Sequence, residues 1–121
     1  GVIAGISSRC QVTGINVLRN RSVEQDVDAY LQGMGVSGRR WAVMHQFDGG
    51  GYAKVNKALS EFVATYEEES QTLVDSVYMG KTLYAVKQMI EQGAIDEGQS
   101  VAIIHTGGLQ GRRQPLSEMD Y

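Results

Sequence analysis

The sequence predicts an α/β domain in which a mostly parallel β-sheet is flanked by helices. Segments with helix and strand patterns alternate along the chain, as in folds whose parallel strands are joined by helices. The run Ser100–Ile104 is apolar at every position after its first, as expected of a strand covered on both faces. The chain has 121 residues, of which 42% are hydrophobic, and this suits one domain with its own core.

The first three predicted elements are a helix, a strand and a second helix. Val2–Ile6 is apolar and glycine-spaced, which is typical of the end of a buried helix. Gln11–Leu18 alternates and carries β-branched residues, so we expect a strand. Ser22 is expected to cap the next helix with Gln25 as its capping-box partner, and Gly35 to end it. Five apolar residues of that helix recur at helical spacing and are expected to face the core: Val23, Val27, Tyr30, Leu31 and Met34.

The remaining elements are a strand, two helices and the final strand Ser100–Ile104. Trp41–Met44 is a short strand, and Asp48–Tyr52 is a glycine-rich loop. Asn56 is expected to cap a helix whose acidic end, Glu67–Glu69, opposes the helix dipole and is predicted to be solvated. A further helix begins near Gly80 and ends at Gly93. The apolar faces of these two helices are Leu59, Phe62, Val63 and Tyr66, and Leu83, Val86, Met89 and Ile90.

Charge and composition disfavour several classes of partner. The net charge is −3, so the chain lacks the general electrostatic attraction that nucleic acids require. The pairs Arg39–Arg40 and Arg112–Arg113 are predicted to be solvated loop charges. Cys10 is the only cysteine, so we expect no internal disulfide, no cysteine metal cluster and a reducing, cytoplasmic location. Two histidines give little support to a metal site, and no apolar run reaches membrane-spanning length, so we expect no membrane partner.

The turn Thr106–Gly107–Gly108 follows the last predicted strand and is the first candidate site. Glycines in a turn after a buried strand are explained by positive φ alone. They also allow a ligand to approach the backbone while Thr106 offers its hydroxyl, as at the carboxyl ends of strands in open α/β sheets. The pattern leaves both interpretations open. His105, at the end of the same strand, is expected to be a packed, hydrogen-bonded neighbour rather than an acid or base.

Two tyrosines and a lysine form the other candidates. Tyr52 follows three glycines, so its phenol could stack on, hydrogen-bond to or gate a ligand, although a surface tyrosine fits the pattern equally well. Tyr78 precedes Gly80 and Lys81 at a predicted helix start, where backbone donors favour anions. Lys81 is either a ligand for a carboxylate or phosphate there, or a solvated lysine.

Three separated segments together resemble one enzyme family. They occur in the family's order and spacing, and they are Gly50–Lys54, Val77–Lys81 with Tyr84, and Ile104–Gly111. The chain resembles the D-cysteine desulfhydrase and 1-aminocyclopropane-1-carboxylate deaminase family of pyridoxal-phosphate enzymes. The resemblance implies that residues 1–111 are the C-terminal part of a large domain with the tryptophan-synthase-β-like fold. Residues 112–121 are then a polar, poorly ordered tail.

The resemblance also implies an activity and roles for the candidate residues. Members of this family act on small amino acids. The expected reaction is therefore β-elimination from D-cysteine to pyruvate, ammonia and sulfide, or deamination of 1-aminocyclopropane-1-carboxylate. Tyr52 and Tyr78 correspond to two active-site tyrosines that face substrate and cofactor. Thr106 corresponds to the residue whose hydroxyl meets the pyridine nitrogen of pyridoxal phosphate, with Gly107 and Gly108 beside it. A homodimer is expected for the complete enzyme.

Two departures from the family pattern bear on the substrate and the cofactor. Met79 stands where the deaminases have glutamate and the desulfhydrases a small hydroxyl residue. Together with Thr106, it favours the desulfhydrase-like branch. Val2 stands where a threonine usually adjoins the family's phosphate loop, which weakens the expected phosphate contacts.

The lysines lead to a further expectation about activity. The family's cofactor-binding lysine lies upstream of the matched segments, so we expect this chain alone to be inactive. Four lysines of this sequence do not lie in the family's lysine motif, and they are Lys54, Lys57, Lys81 and Lys87. The alternative function is a non-catalytic ligand-binding or interaction domain that has kept the fold. A nucleotide-binding domain is disfavoured because the glycine-rich loops lack both nucleotide-binding fingerprints.

Overall fold

The computed structural model describes residues 1–18, 20–46 and 56–109. The predicted loop Asp48–Tyr52 and the predicted tail 112–121 lie outside the described residues. Helices and strands alternate in the first half of the chain, and two helices follow. In chain order the elements are α1 (Val2–Gly5), β1 (Gln11–Ile15), α2 (Val23–Gly33), β2 (Arg40–Met44), α3 (Lys57–Ser70) and α4 (Met79–Glu91).

The two strands form a small parallel sheet, which confirms the α/β prediction. Gln11 lies opposite Arg40, and the register continues to Ile15 opposite Met44. The N–H of Asn16 extends the pairing by donating to the carbonyl of Met44 at 2.9 Å. Helix α2 provides the long connection that parallel strands require.

The two ends of α2 differ in how well the sequence predicted them. Ser22 is the N-cap residue, as predicted, but its side chain makes no capping hydrogen bond. Its hydroxyl donates to Asn20 Oδ1 at 2.7 Å instead, so the expected capping box with Gln25 is wrong. At the other end, the N–H of Val36 donates to the carbonyl of Leu31 at 2.9 Å. This is the bond of a Schellman motif, and it confirms that the helix ends at Gly35.

The apolar face of α2 is narrower than its sequence spacing predicts. Leu31 is buried, and Val23 and Val27 are half-buried. Tyr30 is 75% exposed and Met34 is also exposed, so their expected burial is wrong. A two-stranded sheet covers only one stripe of a helix. Here the covered stripe consists of Val23, Val27 and Leu31, which are spaced four residues apart, and it excludes Tyr30 and Met34.

Helices α3 and α4 enclose the hydrophobic core. Asn56 caps α3 as predicted, since its Oδ1 accepts the N–H of Leu59 at 2.8 Å. The rings of Phe62 and Tyr84 meet edge to face, with centroids 5.4 Å apart. The buried cluster consists of Leu59, Val63, Val74, Met79 and Leu83.

The acidic end of α3 is only partly the predicted solvated face. Glu68 and Glu69 are exposed, whereas Glu67 is half-buried. Glu67 Oε2 accepts the N–H of Val74 at 2.9 Å. This carboxylate therefore fixes the start of the segment that connects α3 to α4.

Two predicted apolar elements are not buried. Residues 100–104 do not form the predicted strand, and Val101, Ile103 and Ile104 are 51%, 40% and 53% exposed. A strand needs a neighbour for its backbone hydrogen bonds, and within the described residues neither β1 nor β2 pairs with this segment. Helix α1 forms where Val2–Ile6 predicts a helix, but its four residues are half-buried or exposed.

The Arg39–Arg40 pair binds the N-terminal segment through backbone carbonyls. Arg39 is half-buried, so its predicted solvation is wrong, whereas Arg40 is exposed but lies at the start of β2 rather than in a loop. Arg39 Nη1 donates to the carbonyl of Ile6 at 3.0 Å. Arg40 Nη2 donates to the carbonyl of Arg9. Guanidinium groups satisfy the free carbonyls at the end of a short helix.

Gly80 is required by the packing of α4 on α3. A methyl group there would lie 2.8 Å from the carbonyl oxygen of Asp75 and 2.9 Å from Val63 Cγ2. We therefore expect Gly80→Ala to lower the free energy of unfolding by about 1–3 kcal/mol, because the overpacked helix must shift. Urea unfolding followed by circular dichroism measures this change.

Gly33→Ala is the matched control in α2. Among the described residues, a methyl group at Gly33 meets no atom within 4 Å. We expect this variant to keep the wild-type free energy of unfolding or raise it by up to about 1 kcal/mol. Equal destabilisation by the two substitutions would contradict the packing argument.

Candidate functional site

A cleft of about 310 Å³ lies along the sheet and is lined mainly by apolar side chains. Strand β1 contributes Val12, and β2 contributes Trp41. Ile3 from α1, Val27 from α2 and Tyr78 at the start of α4 also line it. The cleft can hold a small ligand with an apolar face, and Tyr78 forms part of its wall.

Tyr78 is the residue immediately before α4. Its side chain is 45% exposed, and its carbonyl accepts the Thr82 hydroxyl at 2.8 Å. The Tyr78 N–H donates to Asp75 Oδ2 at 2.6 Å. The backbone of Tyr78 is thus fixed from both sides, while the residue lines the cleft.

The turn at Thr106 is held against the same end of α4. The Thr106 hydroxyl donates to Met79 Sδ at 3.8 Å, a weak bond to a poor acceptor. His105 Nδ1 accepts the N–H of Gly107 at 3.0 Å, and His105 Nε2 lies 3.3 Å from the carbonyl of Leu73. His105 is therefore hydrogen-bonded, as predicted, but it is exposed, so its predicted packing is wrong.

The predicted site residues fall into three groups. Tyr78 and Thr106 lie at the N-terminal end of α4, where Thr106 contacts the residue that follows Tyr78. Gly107 and Gly108 lie in the same turn and have φ of +86° and +84°. Tyr52 lies outside the described residues. The roles given to all five remain predictions.

Lys81 is 2% exposed in the first turn of α4. Its burial excludes the solvated-lysine interpretation. The alternative, that Lys81 binds an anionic ligand, remains a prediction.

The buried carboxylate of Asp75 was missed by the sequence analysis. Asp75 is fully buried, and it accepts the N–H groups of Val77, Tyr78 and Met79 at 2.9, 2.6 and 3.1 Å. An aspartate shortly before a helical apolar pattern is a recognised start signal. That signal was available in Asp75–Ser76–Val77, but it gives no information on burial.

A second hydrogen-bonded group lies where β1 and β2 end. The amide nitrogen of Asn16 lies 3.0 Å from His45 Nδ1, and His45 Nε2 lies 2.5 Å from Glu24 Oε1. Since the asparagine amide nitrogen only donates, Nδ1 accepts and Nε2 carries the proton that is donated to Glu24. Both ring nitrogens are engaged, so this histidine positions its neighbours. The signal for Asn16 and His45 was their place directly after parallel strands.

The Glu24 carboxylate responds to this contact. The hydrogen bond from His45 lowers the pKa of Glu24 below the ordinary glutamate value of 4.5, with a further contribution from a backbone hydrogen bond. Hydrogen bonds to the charged form of a carboxylate favour ionisation. The ionised form of Glu24 is therefore linked to the folded state.

The described residues offer neither a metal cluster nor a membrane-spanning helix. Across the described ranges, no three histidine, cysteine, aspartate or glutamate side chains are grouped to hold a metal ion. None of the helices in this part of the chain is long and apolar enough to cross a membrane.

Comparison with known proteins identifies relatives that match between 56% and 98% of this chain. No family model matches it. One relative is a bifunctional D-cysteine desulfhydrase/1-aminocyclopropane-1-carboxylate deaminase of Arabidopsis thaliana, named as mitochondrial. It is 30% identical to this chain over an alignment of 130 residues, and the alignment covers 98% of this chain. Proteins of Pyrococcus abyssi and Pyrococcus furiosus, both named after 1-aminocyclopropane-1-carboxylate deaminase, are 34% and 26% identical over 68 residues, or 56% of this chain. The matches span 32% of the length of the first relative and 20% of the other two.

The Glu24–His45 contact predicts a pH dependence of stability. Because the folded-state pKa of Glu24 is lowered, its contribution is fully present above pH 4.5 and is lost as the pH falls below that value. We expect Glu24→Gln to melt below the wild type at pH 6, and the difference in Tm to shrink as the pH falls below 4.5. Thermal unfolding at constant ionic strength measures it.

Glu61→Gln is the control for this experiment. Glu61 lies on α3 and forms an exposed ion pair with Lys57 at 3.7 Å, and such pairs contribute little. Its Tm is expected to follow the wild type at every pH. A Glu24→Gln variant that behaved in the same way would contradict the proposed linkage.

Proposed function

Because this chain is a relative of the D-cysteine desulfhydrase and 1-aminocyclopropane-1-carboxylate deaminase family, we propose that it is the C-terminal part of a pyridoxal-phosphate-dependent enzyme. The substrate is a small amino acid, and the fold of the complete protein is tryptophan-synthase-β-like. The reaction is β-elimination, in which D-cysteine and water give pyruvate, ammonia and sulfide. We further propose a cytoplasmic homodimer.

The observation that carries this proposal is the meeting of two family motifs at one end of α4. Thr106 and Met79 are 27 positions apart in sequence, and their side chains are in contact. Tyr78 precedes Met79 and lines the cleft. Thr106 thus contacts the residue that follows Tyr78 in sequence, whereas the residues that line the cleft include Tyr78 but not Thr106.

The turn fits the pyridine end of pyridoxal phosphate. The bond from the Thr106 hydroxyl to the Met79 thioether is long, at 3.8 Å, so the hydroxyl can rotate toward a ring nitrogen at little cost. Within the described residues, a methyl group at Gly107 would meet no atom within 4 Å, which leaves room for a flat ring beside the backbone. A neutral hydroxyl does not force protonation of the ring nitrogen as a carboxylate would.

Tyr78 is the residue of this chain that acts on the substrate. Its half-exposed phenol at the cleft wall orients the amino acid and donates its Oη proton to the departing sulfur. Met79 is 3% exposed and has no acidic proton, so it cannot act as the glutamate of the deaminases does. This disfavours the deaminase branch, and together with Thr106 it favours the desulfhydrase-like branch.

The cofactor, when bound, supplies an electron-withdrawing ring that weakens the bonds to the α-carbon of the substrate. We propose that the lysine that binds it covalently belongs to a segment outside this sequence. The chain alone is then inactive, and the complete protein is the enzyme.

The proposed function predicts distinct behaviour of this chain and of the protein encoded by the whole reading frame that contains it. Mixed with pyridoxal phosphate and borohydride, the chain alone is expected to give no stable lysyl adduct and no sulfide from D-cysteine. The complete protein is expected to give both. Mass spectrometry and a sulfide assay measure these outcomes.

Tyrosine variants of the complete protein test the role of the cleft. Tyr78→Phe is expected to lower kcat for D-cysteine by about 100-fold or more, because proton donation to the leaving group is lost. Tyr30→Phe alters an exposed tyrosine on α2 and is expected to leave kcat unchanged. Sulfide release by the chain alone, or a complete protein that binds pyridoxal phosphate without turnover, would contradict the proposal.

A further inference from the structure

The carboxylate of Asp75 organises the start of α4. It is 0% exposed, and three consecutive N–H groups, from Val77 to Met79, converge on its two oxygens at 2.6–3.1 Å. The backbone carbonyl of Asp75 accepts a fourth N–H, from Gly80, at 2.7 Å. A buried carboxylate at this place satisfies the free donors of the helix and complements its dipole.

The same carboxylate lies against the turn that contains Thr106. A methyl group on Gly108 would lie 3.4 Å from Asp75 Oδ1 and 3.7 Å from its Cγ. Thr106, two residues earlier, contacts Met79, whose N–H donates to that same Oδ1. The helix start and the turn are therefore packed around one side chain.

We propose that Asp75 is a positioning residue that sets Tyr78 and the Thr106–Gly108 turn relative to each other. The inference rests on the proposed function for the importance of these two segments, and on the contacts above for their coupling. Aspartate suits this position because an ionised carboxylate only accepts hydrogen bonds. The substitution Asp75→Asn would replace one oxygen by an N–H₂ group that faces at least one backbone donor, so at least one of the three hydrogen bonds would be lost.

The first experiment compares Asp75→Asn with the removal of another helix cap. In the chain as it is, Asp75→Asn is expected to speed amide exchange of residues 77–79 by about tenfold or more. It is also expected to shift the NMR resonances of Thr106, Gly107 and Gly108. Asn56→Ala removes the cap of α3 and is expected to leave the turn resonances in place. Movement of the α4 amides without the turn would reduce Asp75 to a helix cap and overturn the proposal.

The second experiment changes the turn and observes the amides of residues 77–79. It uses no Asp75 variant, so it decides the question even if Asp75→Asn fails to fold. Gly107 and Gly108 have φ of +86° and +84°, so alanine is equally strained at both. Of these two glycines, only Gly108 would bring an added methyl group against Asp75. Gly108→Ala is expected to shift the amide resonances of residues 77–79, and Gly107→Ala is not. Equal shifts from the two variants would overturn the proposal.

These measurements need neither cofactor nor turnover. If the amides are coupled and the complete protein releases no sulfide, the positioning inference stands and the proposed function fails. If sulfide is released but the two segments move independently, Asp75 is only a helix cap.

Discussion

The convergence of four N–H groups on Asp75 is the contact on which the second half of the structure depends. Three reach its carboxylate and one its carbonyl. Because these donors belong to the two residues before α4 and to its first two residues, Asp75 fixes the direction in which the helix leaves the connection from α3. The close fit of Gly80 against Val63 follows from that direction, and so does the burial of Met79 and Leu83 in the core.

The first half of the chain is held together by different and weaker contacts. Two parallel strands form a small sheet, and sheets of this size need other elements for stability. Helix α2 covers one stripe, and the two arginines at the start of β2 bind the N-terminal segment through carbonyls. The apolar residues of the segment 101–104 stay exposed. The match with the Arabidopsis relative spans 32% of that relative's length.

The candidate site lies where these two halves meet. Tyr78 lines a cleft whose other walls come from β1, β2 and their helices, while Thr106 reaches the adjacent Met79. A thioether next to a hydroxyl holds the turn without consuming strong hydrogen-bonding capacity. This leaves the hydroxyl available to a ligand, which is the property the proposed chemistry requires.

Sequence alone determined what depends on near neighbours along the chain. The cap at Asn56, the end of α2 at Gly35 and the alternation that gives β1 and β2 are set by local backbone bonds and side-chain periodicity, and each is readable within a few residues. The family motifs at Tyr78 and Thr106 were readable in the same way.

Only the tertiary structure decided which residues are buried and which groups bond to each other. It enclosed Asp75, brought Arg39 to a distant carbonyl, left Tyr30 exposed and kept residues 100–104 from forming a strand. These outcomes depend on which surfaces are available to cover a residue or pair with its backbone, and no local pattern contains that information.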